Sequence, residues 1–188
     1  MSFLTEGELA EVGFAALGRN VCISRKTSIY GAARIAIGDN ARIDDFCVLS
    51  AGAGGIEIGR HVHLAVMCVI MGAEKITLHD FSGCSSRVSI YSSSDDFSGA
   101  AMTNPTVPAE FTNVKSRPVS IGRHVIIGAG VVILPGVTIA DGSAVGALSL
   151  VTRDIPPHEI HAGAPARKAA DRKTDFYALE ARFNERQG

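Results

Sequence analysis

Aliphatic residues return at every sixth position along most of the chain. From residue 121 onward the period holds without a slip, at Ile121, Ile127, Ile133, Ile139, Val145 and Val151. Shorter phases of the same period precede it, at Ile23, Ile29 and Ile35, at Ile37, Ile43 and Leu49, at Ile58, Leu64 and Ile70, and at Leu78, Cys84 and Ile90. A fixed period of this kind indicates a repeat architecture.

The period predicts a triangular coil. Six residues on each flat face and three faces per turn point one aliphatic residue of each face inward, and equivalent positions of successive coils stack. Stacked strands lie roughly 4.8 Å apart, so the interior is a narrow column of Ile, Leu and Val. The chain has no tryptophan and only 6% aromatic residues, which agrees with such a core.

A β-solenoid can also be purely architectural, as in ice-binding repeats, and the period alone does not distinguish the two cases. This chain, however, interrupts the repeat at 52–57 and 71–76 and carries a long insertion at 95–118. Loops of that length are more often functional than structural. The interruptions therefore favour a protein that carries a site.

We predict a single domain, residues 1–188. Its parts are an N-terminal helical cap at 1–20, a β-helix at 21–155 with its loop at 95–118, and a C-terminal segment with a helix at 156–188. Caps at both ends protect the edge strands of a solenoid from pairing with other chains.

Each predicted cap has a local signal. Thr5 and Glu8 have the spacing of a capping box, which begins a helix. Pro156-Pro157 ends the repeat, and residues 168–187 have helical character.

Composition and charge exclude several classes of function. The 188 residues include 18 basic and 19 acidic ones, so no basic field favours nucleic acid. No basic N-terminal stretch precedes an apolar run, and no run of about 18 apolar residues occurs, so we expect a cytoplasmic protein without membrane insertion. The four cysteines form no CxxC pair, which favours reduced thiols over a metal site.

Two segments carry a family resemblance. IGRHVIIGAG and ILPGVTI, within 121–139, and VTRDIP and AGAPARK, within 151–168, resemble the hexapeptide acyltransferases related to maltose and galactoside acetyltransferases. The resemblance spans roughly residues 20–170. It implies an all-β solenoid, a left-handed parallel β-helix, that assembles as a homotrimer with active sites between adjacent subunits.

The resemblance also implies acetyl-CoA as co-substrate and no metal. Backbone groups of small residues in the last coils would follow its pantetheine arm, which assigns Gly128, Ala129, Ala147 and Ser149 to the cofactor. Basic residues near the C-terminal end would meet its phosphates, and the candidates are Arg153, Arg167 and Lys168, with Arg172 or Lys173 as outliers. Arg and Lys are the side chains best suited to phosphate.

The catalytic position departs from the family pattern. Maltose and galactoside acetyltransferases carry a catalytic histidine just before the long loop, and Asp95 occupies that position here. A carboxylate is a poor base for a sugar hydroxyl at neutral pH, but it can orient an amine and accept its proton late. We therefore predict an amino-sugar N-acetyltransferase that acts on a nucleotide-linked sugar for lipopolysaccharide or surface glycan synthesis. Sugar O-acetylation is the alternative, with His63 as the base.

The insertion after Asp95 is expected to wall the acceptor site. In this family such an excursion packs against the neighbouring subunit, and we assign Tyr91, Asp96, Phe97 and Asn104 to the acceptor sugar. Prolines and a glycine prevent a regular strand there, and two phenylalanines argue against a disordered linker.

A second class of function stays open, a non-catalytic trimeric scaffold similar to γ-carbonic-anhydrase-like proteins that have lost their chemistry. An active anhydrase of that type needs three histidines around zinc. His61 and His63 lie two residues apart, but no third histidine falls at a suitable later corner.

Overall fold

Three parallel sheets run along the molecule and enclose a single column of aliphatic side chains. The protein was examined as a computed structural model, which describes residues 2–186. Each coil adds one short strand to each sheet, so the architecture is the β-solenoid that the six-residue period predicts.

The strands are two to five residues long. Sheet 1 contains β1 (Ala16–Leu17), β4 (Ile35–Ile37), β7 (Ile56–Ile58), β10 (Ile76–Leu78), β15 (Val119–Ile121) and β18 (Thr138–Ile139). Sheet 2 contains β2 (Cys22–Ile23), β5 (Arg42–Ile43), β8 (His63–Leu64), β11 (Gly83–Cys84), β16 (Ile126–Ile127), β19 (Ala144–Val145), β21 (Glu159–Ala162) and β22 (Arg167–Asp171). Sheet 3 contains β3 (Ser28–Tyr30), β6 (Val48–Ala51), β9 (Val69–Gly72), β12 (Ser89–Tyr91), β17 (Val132–Ile133) and β20 (Leu150–Val151).

The register of the strands explains how short strands build one continuous core, to which strands of sheet 1 such as β7 and β10 contribute two aliphatic residues each. Ile56, Ile76 and Val119 pair in sequence across sheet 1, and all three are buried. Because the strands are in register, identical positions stack and each side chain packs on its equivalents one coil away. Buried aliphatic area of this kind is the main stabilising contribution to the fold.

Corner 1, which joins sheet 1 to sheet 2, has an aromatic ladder. Its third residue has a positive φ in successive coils, at Asn40, His61, Phe81 and His124. The rings of His61, Phe81 and His124 stack in parallel, with centroids 4.9 and 5.0 Å apart. Ring spacing thus matches the coil spacing of the solenoid.

The N-terminal cap is shorter than the predicted 1–20 region. The helix α1 spans Glu6–Glu11, and its capping box between Thr5 and Glu8 is present as predicted. The chain enters the first coil already at β1, because Ala16 and Leu17 pair with β4.

The C-terminal segment differs from the prediction in two ways. The repeat continues past Pro156-Pro157, since β21 adds a parallel strand to sheet 2. Residues predicted as the start of the helix instead form β22, which pairs antiparallel with β21 and covers its edge. Helix α2 begins only at Phe176 and ends at Glu185. This pairing satisfies backbone groups of β21, and β22 becomes the outermost strand of sheet 2.

Helix α2 packs on the ladder of corner 1. Phe183 meets His61 and Phe81 edge-on, and Glu180 lies 2.7 Å from His124 Nε2. The side chain of His124 is therefore only 12% exposed. Within residues 2–186, no helix has the length and apolar character that a membrane crossing requires.

The long insertion begins and ends in a small hairpin. Strands β13 (Ser93–Ser94) and β14 (Lys115–Ser116) pair antiparallel at its base. One 3-10 turn lies within it at Ala109–Phe111, and another lies earlier in the chain at Ala32–Arg34. The insertion therefore leaves and rejoins the solenoid at one point between sheet 3 and sheet 1.

Candidate active site

A surface cavity of about 260 Å³ lies where sheet 2 meets corner 2, the turn that leads from sheet 2 to sheet 3. It is lined by His63, Ala65, Gly83, Ser85, Ser86 and Ile126. The outward residues of β8, β11 and β16 stack in register here, so the cavity crosses three successive coils. It combines an apolar strand surface with hydroxyl groups and an imidazole.

His63 is held at this cavity by a buried carboxylate. Its Nε2 lies 2.9 Å from Asp44 Oδ2, and Arg42 Nε donates to Asp44 Oδ1 at 2.8 Å. Burial opposes ionisation of Asp44, but the hydrogen bonds from Arg42 and His63 outweigh it and lower the pKa of its carboxyl. His63 is half exposed and has a fixed ring, which suits a residue that contacts a ligand.

Ser85 and Ser86 were missed by reasoning from the sequence. They follow the inward residue Cys84 directly, at the position where later coils carry Gly128 and Ala129. One feature of the sequence could have identified them: two hydroxyl residues stand at a corner where the next coil has small apolar residues.

The residues assigned to the pantetheine arm lie on corner 2, but not all of them at its surface. Ala129 and Ala147 are exposed, in neighbouring coils. Gly128 packs so closely on the next coil that a Cβ would lie 2.5 Å from the backbone nitrogen of Ala147. Ser149 points inward instead: it is buried, and its hydroxyl donates to the carbonyl of Gly146 at 2.7 Å. Ser149 thus stabilises the corner from inside and has no free side chain for the cofactor.

The three predicted phosphate ligands come from two different segments of the chain. Arg153 follows sheet 3, whereas Arg167 and Lys168 belong to β22 at the end of sheet 2. Arg153 and Arg167 are exposed. Lys168 is held by Glu159 at 2.9 Å and Asp171 at 2.7 Å, and these carboxylates raise its pKa. Its charge is thus already neutralised, which weakens its claim to a phosphate.

Arg172 has a structural role. Its guanidinium donates to the carbonyls of His124 and Ser143, at 2.7 and 2.8 Å, and stacks over Phe176. These contacts fasten the segment before α2 to corner 1.

Asp95 is half-buried at the start of the insertion, directly after β13. Its neighbour Asp96 has a different environment: it is buried and accepts bonds from the backbone of Ser98 at 2.7 Å and from Asn113 at 3.3 Å. These bonds, those from Ser98 foremost, lower the pKa of Asp96. Asp96 therefore closes the loop on itself, and its assignment to the acceptor sugar has no geometric support.

The other predicted acceptor residues are spread over the excursion. Tyr91 is half-buried at the end of β12. Phe97 is 93% exposed. Asn104 lies at the far turn, where its side-chain oxygen accepts from the backbone of Thr106 at 3.0 Å. Asn104 thus has a local turn function, while Phe97 is free to contact another molecule.

Asp95 and the cavity lie at opposite ends of sheet 3. The chain passes from His63 and Ser85 at corner 2 through β9 and β12 before it reaches Asp95. One chain therefore does not bring Asp95 and His63 together. Within residues 2–186 no group of three or more His, Cys, Asp or Glu side chains is arranged to hold a metal ion.

Comparison with known proteins identifies the family. Residues 118–153 match the model of the bacterial transferase hexapeptide, six repeats. The chain is 49% identical over 183 residues to dTDP-4-amino-4,6-dideoxy-D-glucose acyltransferase of Escherichia coli, covering 97% of this chain and 95% of that protein. It is 31% identical over 161 residues to galactoside O-acetyltransferase of Escherichia coli strain K12, with coverages of 82% and 74%.

Solved structures agree in fold and sequence. AntD, an N-acyltransferase from Bacillus cereus crystallised with dTDP and 3-hydroxybutyryl-CoA, superposes with a TM-score of 0.94 at 42% identity, over 99% of this chain and 98% of AntD. A serine-to-alanine variant of AntD with dTDP-4-amino-4,6-dideoxyglucose and coenzyme A gives a TM-score of 0.95 at 43% identity, over 98% of each chain. The chain therefore belongs to the hexapeptide-repeat acyltransferases, enzymes that use an acyl-CoA as co-substrate.

Proposed function

We propose that the protein transfers an acyl group from acyl-CoA to the 4-amino group of a dTDP-linked 4-amino-4,6-dideoxy sugar. The observation that carries the proposal is the 49% identity, over 97% of the chain, to the Escherichia coli enzyme of that activity. The AntD complexes with a dTDP amino sugar and with an acyl-CoA support it. Asp95, which the sequence favours for an amine acceptor over a hydroxyl, points the same way.

The chemistry that we propose needs no covalent enzyme intermediate. The neutral amine attacks the thioester carbonyl, the C–N bond forms, and collapse of the tetrahedral intermediate breaks the C–S bond. Coenzyme A leaves as a thiolate, and the amide nitrogen loses one proton. Asp95 orients the amine by a charge-assisted hydrogen bond and accepts that proton, which then passes to the thiolate or to solvent.

We propose that the active enzyme is a homotrimer with sites between subunits. Corner 2 exposes the apolar residues Phe46, Met67 and Leu148, and the excursion exposes Phe97 and Phe111. Two different apolar surfaces on one chain suit a heterologous contact that closes into a ring. Such a contact would bring Asp95 of one subunit towards the His63 cavity of its neighbour, which one chain does not achieve.

The remaining parts of the proposal concern the pantetheine path, the phosphates and the biological setting. Ala129, Ala147 and the backbone at Gly128 would follow the pantetheine, and Arg153 and Arg167 would meet the phosphates from different subunits. A dTDP-linked acceptor makes synthesis of lipopolysaccharide or another surface glycan in the cytoplasm the setting that we propose.

The test is a comparison of two acceptors that differ at one atom. Purified protein is given acetyl-CoA and either dTDP-4-amino-4,6-dideoxyglucose or the dTDP sugar with a hydroxyl in place of the amine, and thiol release is followed. We expect release at least tenfold faster with the amine. Equal or faster release with the hydroxyl would replace the proposal by sugar O-acetylation, for which His63 is the candidate base. No release with either sugar would favour the non-catalytic scaffold.

A further inference from the structure

The backbone of Gly83 does not require a glycine. Gly83 is a regular strand residue that pairs in parallel with His63 and Ile126. A methyl group at this position would contact only Ile126 Cδ1, at 3.6 Å, which is an ordinary van der Waals distance. At Gly128, by contrast, a methyl group would collide with the next coil at 2.5 Å. Packing therefore explains the second glycine and leaves the first unexplained.

A glycine inside a strand lowers stability and often marks a place where a ligand approaches closely. The equivalent outward positions of sheet 2 in the other coils all carry side chains: Cys22, Arg42, His63, Ile126, Ala144 and Ile160. Gly83 thus leaves a notch in an otherwise continuous row, and this notch is part of the 260 Å³ cavity.

The walls of the notch suit a short alkyl chain. Ile126 lies on one side of Gly83 and is 45% exposed although it is a large apolar residue, whereas the half-exposed His63 lies on the other side, with Ala65 at the corner next to it. The hydroxyls of Ser85 and Ser86 lie towards the corner. The surface at Gly83 and Ile126 is apolar, which suits an alkyl chain, while the polar groups of the cavity, His63, Ser85 and Ser86, lie on the opposite side and at the corner.

The notch lies one coil away from the corner that we assign to the pantetheine arm. The backbone N–H of Ser85 donates to the carbonyl of Ile127 at 2.8 Å, and the backbone N–H of Gly130 donates to the carbonyl of Ser86 at 2.9 Å. A thioester that follows Gly128 and Ala129 towards the N-terminal coils therefore arrives at the notch.

We propose that the notch at Gly83 holds the acyl chain of the donor, and that the missing side chain sets the longest acyl group the enzyme transfers. A group the size of a water molecule occupies about 30 Å³, so a four-carbon acyl chain needs about 120 Å³ and fits within the cavity of about 260 Å³. This inference rests on the proposed acyl transfer and adds to it a residue that determines donor specificity.

The experiment measures kcat/KM for acetyl-CoA and butyryl-CoA with dTDP-4-amino-4,6-dideoxyglucose, in the wild type, Gly83→Ala and Gly83→Val. We expect the wild type to use both donors. Gly83→Val should lower kcat/KM for butyryl-CoA at least about tenfold and for acetyl-CoA less than about threefold, because a filled notch excludes the extra methylenes. For Gly83→Ala, kcat/KM for butyryl-CoA should lie between the values of the wild type and of Gly83→Val. Ala144→Val, at the equivalent position two coils away, is the matched control and should leave the ratio of the donors unchanged.

Three results would overturn the notch. The first is a wild type that uses acetyl-CoA but not butyryl-CoA. The second is an equal loss of kcat/KM for both donors in Gly83→Ala. The third is a change of oligomeric state in Gly83→Ala, which would mean that a partner subunit fills the notch. The proposed acyl transfer fails separately, if no donor gives product in the wild type.

Discussion

The Oδ2 atom of Asp44 lies 2.9 Å from Nε2 of His63, while the other oxygen of the same carboxylate accepts from Arg42 at 2.8 Å. The carboxylate is buried and lies one coil before the histidine. A carboxylate with two partners fixes the imidazole ring at the edge of the cavity. Asp44 is thus a positioning residue for this corner.

The lowered pKa of Asp44 has a consequence for stability. A carboxyl whose folded pKa lies below its ordinary value of 3.8 stabilises the fold above that value, and this contribution disappears as the pH falls through the folded pKa. We therefore expect wild-type stability to decline below about pH 4 more steeply than that of Asp44→Asn. Urea midpoints between pH 3 and 7 measure the effect. Asp175→Asn, at an exposed carboxylate that makes no cap bond, is the control. Parallel curves for wild type and Asp44→Asn would contradict the assignment.

Asp95 and His63 compete for the role of proton acceptor, and two substitutions separate them. Under the amine mechanism Asp95→Asn should lower kcat about 100-fold, since general-base contributions are of that order, whereas His63→Gln should keep most of the activity. The measurement is steady-state thiol release with the amino sugar, together with thermal melting to exclude misfolding.

Asp96→Asn is the matched control for Asp95. Asp96 bonds within the loop, so its substitution should lower the stability of the excursion and raise KM more than it lowers kcat. A loss in His63→Gln that exceeds the loss in Asp95→Asn would reverse the assignment of the proton acceptor.

Met67 tests the proposed subunit contact. It is 44% exposed at corner 2, next to the cavity coil. Met67→Glu should convert the proposed trimer to a folded monomer and abolish transfer, because a charge cannot be buried in an apolar contact. Leu179→Glu, on α2 and 58% exposed, is the control and should keep the mass of the wild type. Light scattering reports the mass, and an active monomeric wild type would contradict the shared site.

Ser82 and Ser143 test how much a hydrogen bond from a buried hydroxyl contributes to the stability of corner 1. Both are buried in the inward column of corner 1, but Ser143 donates to the carbonyl of Pro156 at 2.6 Å, whereas the hydroxyl of Ser82 has no partner among residues 2–186. Ser143→Ala should therefore cost about 1 kcal/mol of unfolding free energy, and Ser82→Ala should cost nothing or stabilise the protein. Chemical denaturation measures both. A cost for Ser82→Ala equal to that of Ser143→Ala would mean that the Ser82 hydroxyl is satisfied in solution.

Much of the fold could be predicted because each coil repeats a local rule. Ile121, Ile127 and Ile133 are all fully buried, as the six-residue period requires. The C-terminal end could not be predicted in the same way. Residues 167–171 favour a helix by composition, but the open edge of β21 imposes a strand on them.

The site was less accessible to sequence reasoning for two physical reasons. Ser149 is one of the small residues that the sequence assigns to the cofactor, yet the corner geometry turns its hydroxyl inward, towards the carbonyl of Gly146. Gly83 could not be singled out among 20 glycines, because only the distances around it separate a glycine that packing requires from one that it does not. Asp95 could be singled out because the family resemblance aligns it with the catalytic histidine of the maltose and galactoside acetyltransferases.

The central claim, acylation of a sugar amine, is tested most directly by the bond formed in the product. The dTDP-linked product of the reaction with acetyl-CoA and dTDP-4-amino-4,6-dideoxyglucose is isolated and examined by mass spectrometry and NMR, and free coenzyme A is titrated in parallel. We expect one acetyl group per sugar, attached as an amide at the 4-amino nitrogen, with one thiol released for each amide. An acetyl ester on a ring hydroxyl with the amine left free would contradict it.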